Sequence, residues 1–164
     1  MSAITLTPMT RDDFDAFWPT FQAIVAAKET YAIDPEIDVE AAYTLWCQMP
    51  AFTFAAKDAS GQVLGSYYLK ANAQGPGRHV SNCGYMVSDK ARGKGVARAM
   101  CEHSQTIARE AGFLAMQFNA VVSTNEVAVA LWQRLGFTIV GTVPQAFDHP
   151  SQGLVDIHVM HKAL

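Results

Sequence analysis

The stretch from Val80 to Val122 constrains the fold most. It runs from an apolar strand, "VSNCGYMV", through a turn holding Arg92, Gly93, Lys94 and Gly95. A helix read over "GVARAMCEHSQTIAREAG" follows and ends at Gly112, and a second strand, "AMQFNAVV", comes after it. Val96, Met100, His103 and Ile107 fall on one stripe of that helix, the spacing of a face laid on a sheet. A strand, a helix and a strand in this order predict a parallel, right-handed unit. The turn is costly for a helix start, because glycine loses the most backbone entropy on folding. Small residues and cations at that place suit an anion: the first amides of a helix are unpaired and carry the positive end of its dipole. The amides of Gly93, Lys94, Gly95, Val96 and Ala97 can point at one phosphate, with Arg92 and Lys94 adding charge outside it. From this stretch alone, a plain glycine turn with solvated cations remains the alternative.

The flanking sequence supplies a sheet for this unit. "ITLTP" alternates as a strand, and "RDDFDAFWPTFQAIVAAKETY" reads as a helix with acids in its first turn and a break at Pro19. "DVEAAYTLWCQ" is a second helix capped by Asp38. "AFTFAAKDASGQVLGSYYLKA" reads as a hairpin around Ser60-Gly61, and "NAQGPGRH" as a loop. "STNEVAVALWQRLG" is a helix opening with Ser123 and Glu126 in capping-box spacing, its buried face formed by Ala128, Leu131, Trp132 and Leu135. "FTIVGTV" and "LVDIHVM" close the chain as strands, with Phe147, Asp148 and His149 in the loop between them. The order is one strand, two helices, three strands, helix, strand, helix, two strands. That is a mixed-sheet α/β domain with helices on its faces, and no linker divides the 164 residues.

Half the residues are hydrophobic and 16% are charged, with a net charge of −3, so the chain has material for a core and lacks the broad basic face of a nucleic-acid binder. Three cysteines without metal or redox spacing fit a reduced, cytoplasmic setting, and "MSAITLTPMT" has no leader pattern. No apolar stretch is long enough for a membrane span. A Walker loop is disfavoured because Lys94 is followed by Gly95, and the dinucleotide fingerprint is absent.

The second motif decides among the remaining readings. Arg92-Gly93-Lys94-Gly95-Val96-Ala97 resembles the Arg/Gln-x-x-Gly-x-Gly/Ala motif of the GCN5-related N-acetyltransferases. Asn125, Ala128, Leu131, Trp132, Gly136 and Phe137 resemble that family's second motif, N-x-x-A-x-x-L-Y-x-x-x-G-F, and the element order between the two agrees. The resemblance implies the acyl-CoA N-acyltransferase fold: a mixed, mostly antiparallel sheet with one splayed parallel pair. It implies acetyl-CoA as acyl donor and no metal, with pyrophosphate on the 92–97 backbone and the pantetheine arm along the strand near Met86 and Val87. Asn125 and Trp132 would face the coenzyme. The amide of Met86 or Val87 would hold the developing oxyanion. The acceptor would be the amine of a small molecule, with neither nucleic acid nor membrane as partner, and a homodimer is compatible with the family.

The sequence departs from that pattern at two positions. The family's usual acid, a tyrosine, is replaced by Trp132, whose indole N–H is a donor only. A glutamate frequent in the preceding strand is replaced by Asn82, a neutral amide that orients but cannot act as a base. Asn82 and Asn119, on the two parallel strands, are the expected catalytic, amine-orienting residues. With Asn125 they resemble the fungal acetyltransferases acting on proline analogues, which implies an amino-acid-like acceptor with a carboxylate. A coenzyme A-binding regulatory module without transfer, or an enzyme acetylating protein N-termini or lysines, are the rival readings. His79 reads as a loop histidine, His103 and Cys83 as core residues. Asp156, His158 and His161 lack the further ligands of a metal site.

Overall fold

The strands on either side of the glycine turn lie parallel, as their connection requires. A computed structural model describes residues 3–164; Met1 and Ser2, part of the segment read above for a leader, lie outside the described residues. The strands are β1 (Thr5–Pro8), β2 (Phe52–Lys57), β3 (Val63–Ala71), β4 (Val80–Val87), β5 (Ala115–Val122), β6 (Thr138–His149) and β7 (Gly153–Ala163). They form one seven-stranded sheet in the order β1-β2-β3-β4-β5-β7-β6. Every neighbouring pair is antiparallel except β4 and β5. The helices are α1 (Arg11–Ala27), α2 (Val39–Tyr43), α3 (Val96–Glu110) and α4 (Glu126–Arg134). A π-helical turn, Thr44–Gln48, continues α2.

Alternation along the strands sends side chains to two separate cores. On one face, Tyr67, Leu69, Cys83, Met116, Phe118 and Met160 meet Val96, Met100, Ala108 and Trp132 of α3 and α4. On the other, Phe14, Phe17, Phe21 and Val25 of α1 gather around Trp46, Tyr68 and Met86. Trp46 is fixed by its indole N–H, which donates to Ser66 Oγ at 2.9 Å.

Three sequence expectations are corrected here. Helix α1 runs unbroken through Pro19. An internal proline costs about 3 kcal/mol, but three fully buried phenylalanines and Val25 lie on both sides of it. At about 1.5–3 kcal/mol for each buried side chain, their packing outweighs the lost helix bond. The last hairpin is longer than predicted: Phe147, Asp148 and His149 belong to β6 and pair with Val155, Leu154 and Gly153. A register shift between Val143 and Phe147 absorbs the irregular stretch, and Gln145 sits there at φ +52°. Finally, α4 is capped by Asn125 rather than Ser123, its side chain accepting from the amide of Ala128 at 3.4 Å.

The parallel pair is short. Only Val80, Ser81 and Asn82 pair with Ala115, Met116 and Gln117, and beyond them β4 and β5 diverge. From Cys83 to Val87, β4 therefore keeps β3 as its only strand partner among the described residues. The tightness of that remaining contact is testable at Gly65, which opposes Val87. A Cβ there would stand 2.7 Å from the carbonyl oxygen of Met86 and 3.1 and 3.2 Å from side-chain atoms of Met100 and Val96. Gly65→Ala is expected to destabilise the fold by roughly 1–3 kcal/mol through overpacking. A thermal melt that does not shift would contradict it.

Candidate active site

The turn between β4 and α3 is built from a one-turn 3-10 helix, Asp89–Ala91, and two left-handed glycines, Gly93 at φ +75° and Gly95 at φ +79°. An ideal Cβ on either glycine would meet nothing within 4 Å, so the space above them is open. Three amides are used inside the turn: Ala91 N–H donates to Ser88 O at 2.9 Å, and Arg92 N–H to Asp89 O and Lys94 N–H to Ala91 O, both at 3.3 Å. This corrects the expected donor set by removing Lys94. Among the described residues the amides of Gly93, Gly95, Val96, Ala97 and Arg98 have no such partner, since the first helical bond of α3 runs from Ala99 to Gly95. The Lys94 side chain is exposed. Arg92 is exposed and ion-paired with Asp89 at 3.0 Å, an interaction worth little in water.

Strand alternation decides which β4 groups face the gap beside β5. Ser88 N–H donates to Leu64 O and Val80 O accepts from Asn72 N–H, each at 2.8 Å, so even-numbered residues of β4 turn their main chain toward β3. Odd-numbered residues turn theirs into the gap. Of the two amides expected to serve as oxyanion donors, Val87 points into the gap. Met86 points to β3, and its side chain is buried among α1 and Trp46. The expectation for Met86 is corrected on that ground. The Tyr85 carbonyl also faces the gap, where it accepts from the Tyr31 hydroxyl at 2.7 Å.

Asn82 sits where the two strands part. It is 5% exposed, and both ends of its carboxamide are engaged. Its Nδ2 donates to Gln117 O at 3.0 Å, and its Oδ1 accepts from the Tyr68 hydroxyl at 3.1 Å. Asn119 shares this face of the sheet but is exposed. It donates to Asn72 Oδ1 at 2.7 Å and accepts from Gln117 Nε2 at 3.0 Å. The two asparagines are linked through Gln117 rather than to each other.

Sequence reasoning missed Tyr31, Tyr68, Lys70 and Gln117. Alternation along β3 puts Tyr68 and Lys70 on one face, but that this is the face of Asn82 follows only from the register with β4; Tyr31 carries no local signal. Burial raises the Tyr31 phenol well above its ordinary value and Tyr68 to about 12, so both are protonated donors at neutral pH. Gly84 makes room for them: a Cβ there would meet the Tyr68 ring at 2.5 Å and the Tyr31 hydroxyl at 3.1 Å.

Trp132 is 8% exposed and packs on Tyr85 and Phe118, with ring centroids 5.0 and 5.3 Å apart. His103 is half-buried, bonded to the Tyr67 hydroxyl at 2.7 Å, and its pKa is lowered by burial. His79 lies at the far end of β4, on the rim of a surface cavity of about 500 Å³ that excludes the gap. His158 bonds Thr142 Oγ1 and Asp156 accepts from the Gln145 amide. Burial pushes the Cys47 thiol up to about 12, Cys101 up to about 11, and Cys83 higher still. The thiolate is the nucleophile. An aromatic disulfide reagent at pH 8 is therefore expected to titrate the three thiols only after unfolding. Rapid stoichiometric reaction of the native protein would contradict that burial.

A mixed sheet whose single parallel pair splays beside a helix N-terminus with free amides defines the acyl-CoA N-acyltransferase fold. The family model described as Acetyltransferase (GNAT) family matches residues 12–137. The chain belongs to that family. A GCN5-related N-acetyltransferase from Kribbella flavida is 49% identical, with a TM-score of 0.94 over 99% of this chain and 98% of that one. The phosphinothricin acetyltransferase of Sinorhizobium meliloti, solved in complex with AcCoA, shares the fold at 22% identity and a TM-score of 0.85, over 100% of this chain and 89% of that one. The N-acetyltransferase aca1 of Schizosaccharomyces pombe is 29% identical over 92% of this chain, which spans 66% of that relative's length.

Proposed function

We propose that this chain transfers the acetyl group of acetyl-CoA to the amine of a small molecule, an amino acid or analogue. The observation that carries the reading is the set of unpartnered amides at Gly93, Gly95, Val96 and Ala97, directly beside the open edge of β4. Main-chain donors and a helix dipole favour an anion there. Arg92 and Lys94 supply diffuse positive charge outside the loop. Acetyl-CoA, when bound, supplies an acyl group on a thiol leaving group. The Val87 amide is the donor suited to a developing negative charge on the acyl oxygen. Asn125 and Trp132 border the coenzyme side, and Asn82 and Asn119 the acceptor side.

Trp132 cannot donate a proton to the departing sulfur. The Tyr31 phenol, raised by burial, is a poor acid as well. A thiol with an ordinary pKa near ~8.5 leaves tolerably as the thiolate, so the chain need not supply a strong acid. Family membership and the acetyl-CoA held by a protein of the same fold support the reading. The test is calorimetry with coenzyme A, followed by thiol release from acetyl-CoA with a panel of amino acids and polyamines. Heat of binding with release on amino acids is the expected result. Binding without release on any amine would indicate a coenzyme-binding module, and no heat would overturn the reading.

A further inference from the structure

The face of the sheet beneath α1 and α2 carries a polar row across the foot of the gap. Lys70 on β3 opposes Asn82 on β4, and Asn82 opposes Gln117 on β5. His161 on β7 extends the row, opposing Gln117 from the other side. Asn72 and Asn119 stand beside it. The carboxamides of this group are occupied with one another and with the strands. Asn82 spans from Tyr68 to Gln117 O, and Asn119 from Asn72 to Gln117. Lys70 differs from all of them. It forms no ion pair among the described residues. Its ammonium stands 5.3 Å over the Tyr68 ring, the same ring whose hydroxyl holds Asn82. None of the side chains in the group is acidic.

A molecule entering the gap from this side therefore meets the Lys70 ammonium in a polar frame without acidic side chains. A second ammonium would be repelled, and a carboxylate is matched. In an amino acid the carboxylate and the amine are separated by a single carbon. Asn82, next to Lys70 in the register, marks where the gap opens, so one end of such a molecule can reach Lys70 while the other reaches the gap.

We propose that Lys70, rather than the asparagines, is the residue that selects the acceptor, and that it does so by binding a carboxylate adjacent to the amine. This rests on the acetyltransferase reading above. An ammonium on a flexible stem is a point charge without a fixed fork, so it tolerates carboxylates held at differing angles. The side chain is then a determinant of affinity for the acceptor and has no part in holding coenzyme.

Matched acceptors test this: leucine against isoamylamine, phenylalanine against phenethylamine, and proline against pyrrolidine, each pair differing by the carboxylate. Thiol release from acetyl-CoA is measured for the wild type and for Lys70→Met, Lys70→Arg and Lys70→Glu, with coenzyme A calorimetry on each. The wild type is expected to favour the acid of at least one pair. Lys70→Met is expected to raise KM for that acid by about 10- to 100-fold, the loss of one charge-assisted contact, with kcat changed little. The paired amine should be unaffected, Lys70→Arg should restore part of the preference, and Lys70→Glu should invert it. Coenzyme heat should be the same throughout. Preference for the amines in the wild type, turnover of none of the acids, or a preference that survives Lys70→Met, each with normal coenzyme heat, would overturn the role of Lys70 alone. Absence of coenzyme heat in the wild type would remove the acetyltransferase reading and this one with it.

Discussion

Gly95→Glu is expected to abolish coenzyme A binding, weakening it by at least about 100-fold, which is roughly 2.7 kcal/mol. Two physical effects combine. Gly95 holds φ +79°, where a Cβ costs roughly 1–2 kcal/mol. The new carboxylate would also stand among the unpartnered amides of Gly93, Val96 and Ala97, where it would repel a phosphate and compete for its donors. Gly95→Ala separates the two, since it carries the backbone strain without the charge. It should lower the melting temperature as Gly95→Glu does while retaining most of the affinity, because the space around the glycine is open. Calorimetry on both variants decides the matter. If the glutamate variant binds coenzyme A within a few-fold of the wild type, the glycine turn does not hold the diphosphate.

Asn82→Ala is expected to lower turnover by about 100-fold while coenzyme affinity stays within about three-fold of the wild type. The substitution removes the donor from Gln117 O and the acceptor from the Tyr68 hydroxyl, both at the point where β4 and β5 part. Each stranded buried group costs about 1–3 kcal/mol. That loss falls on the acceptor side, while the amides of the glycine turn lie beyond the other end of β4. Asn82→Asp refines the result: a carboxylate still accepts from Tyr68 but cannot donate to Gln117 O, so partial recovery would assign the larger share to the Tyr68 contact. Lost coenzyme binding in Asn82→Ala would contradict the division of the gap into a coenzyme side and an acceptor side.

Both predictions concern residues that were legible in the sequence, for different reasons. The glycines of the turn were visible because a left-handed φ is a local demand, and only glycine meets it freely. Strands β4 and β5 were read with their observed limits because their apolar runs are bounded by turn residues. Asn82 was visible as a polar residue in an apolar strand, but its bonds to Tyr68 and Gln117 were not. The choice between the Met86 and Val87 amides was hidden too. It depends on which side of β4 each residue presents to β3, and that register is set across the sheet.

The misread elements share a cause. Pro19 carries a strong local signal for a break that packing overrode, and pairing of Phe147, Asp148 and His149 with β7 carried β6 past an unpaired stretch at 144–146. Ser123 fitted a capping box by spacing, yet the chain entered α4 two residues later and used Asn125. Tyr31 and Lys70 were missed because their partners are remote: Tyr31 meets a carbonyl 54 residues away, and Lys70 gains its neighbours only through strand register.

By itself the sequence determined the order of strands and helices, the anion-ready turn and the family to which two spaced motifs belong. All of these rest on backbone conformations and periodicities that residues specify within a few positions of themselves. Only the tertiary structure decided which amides face the gap, which asparagine ends are already taken and which cation is left unpaired beside them. Those facts arise where strands distant in the chain are brought into register, and no local preference encodes them.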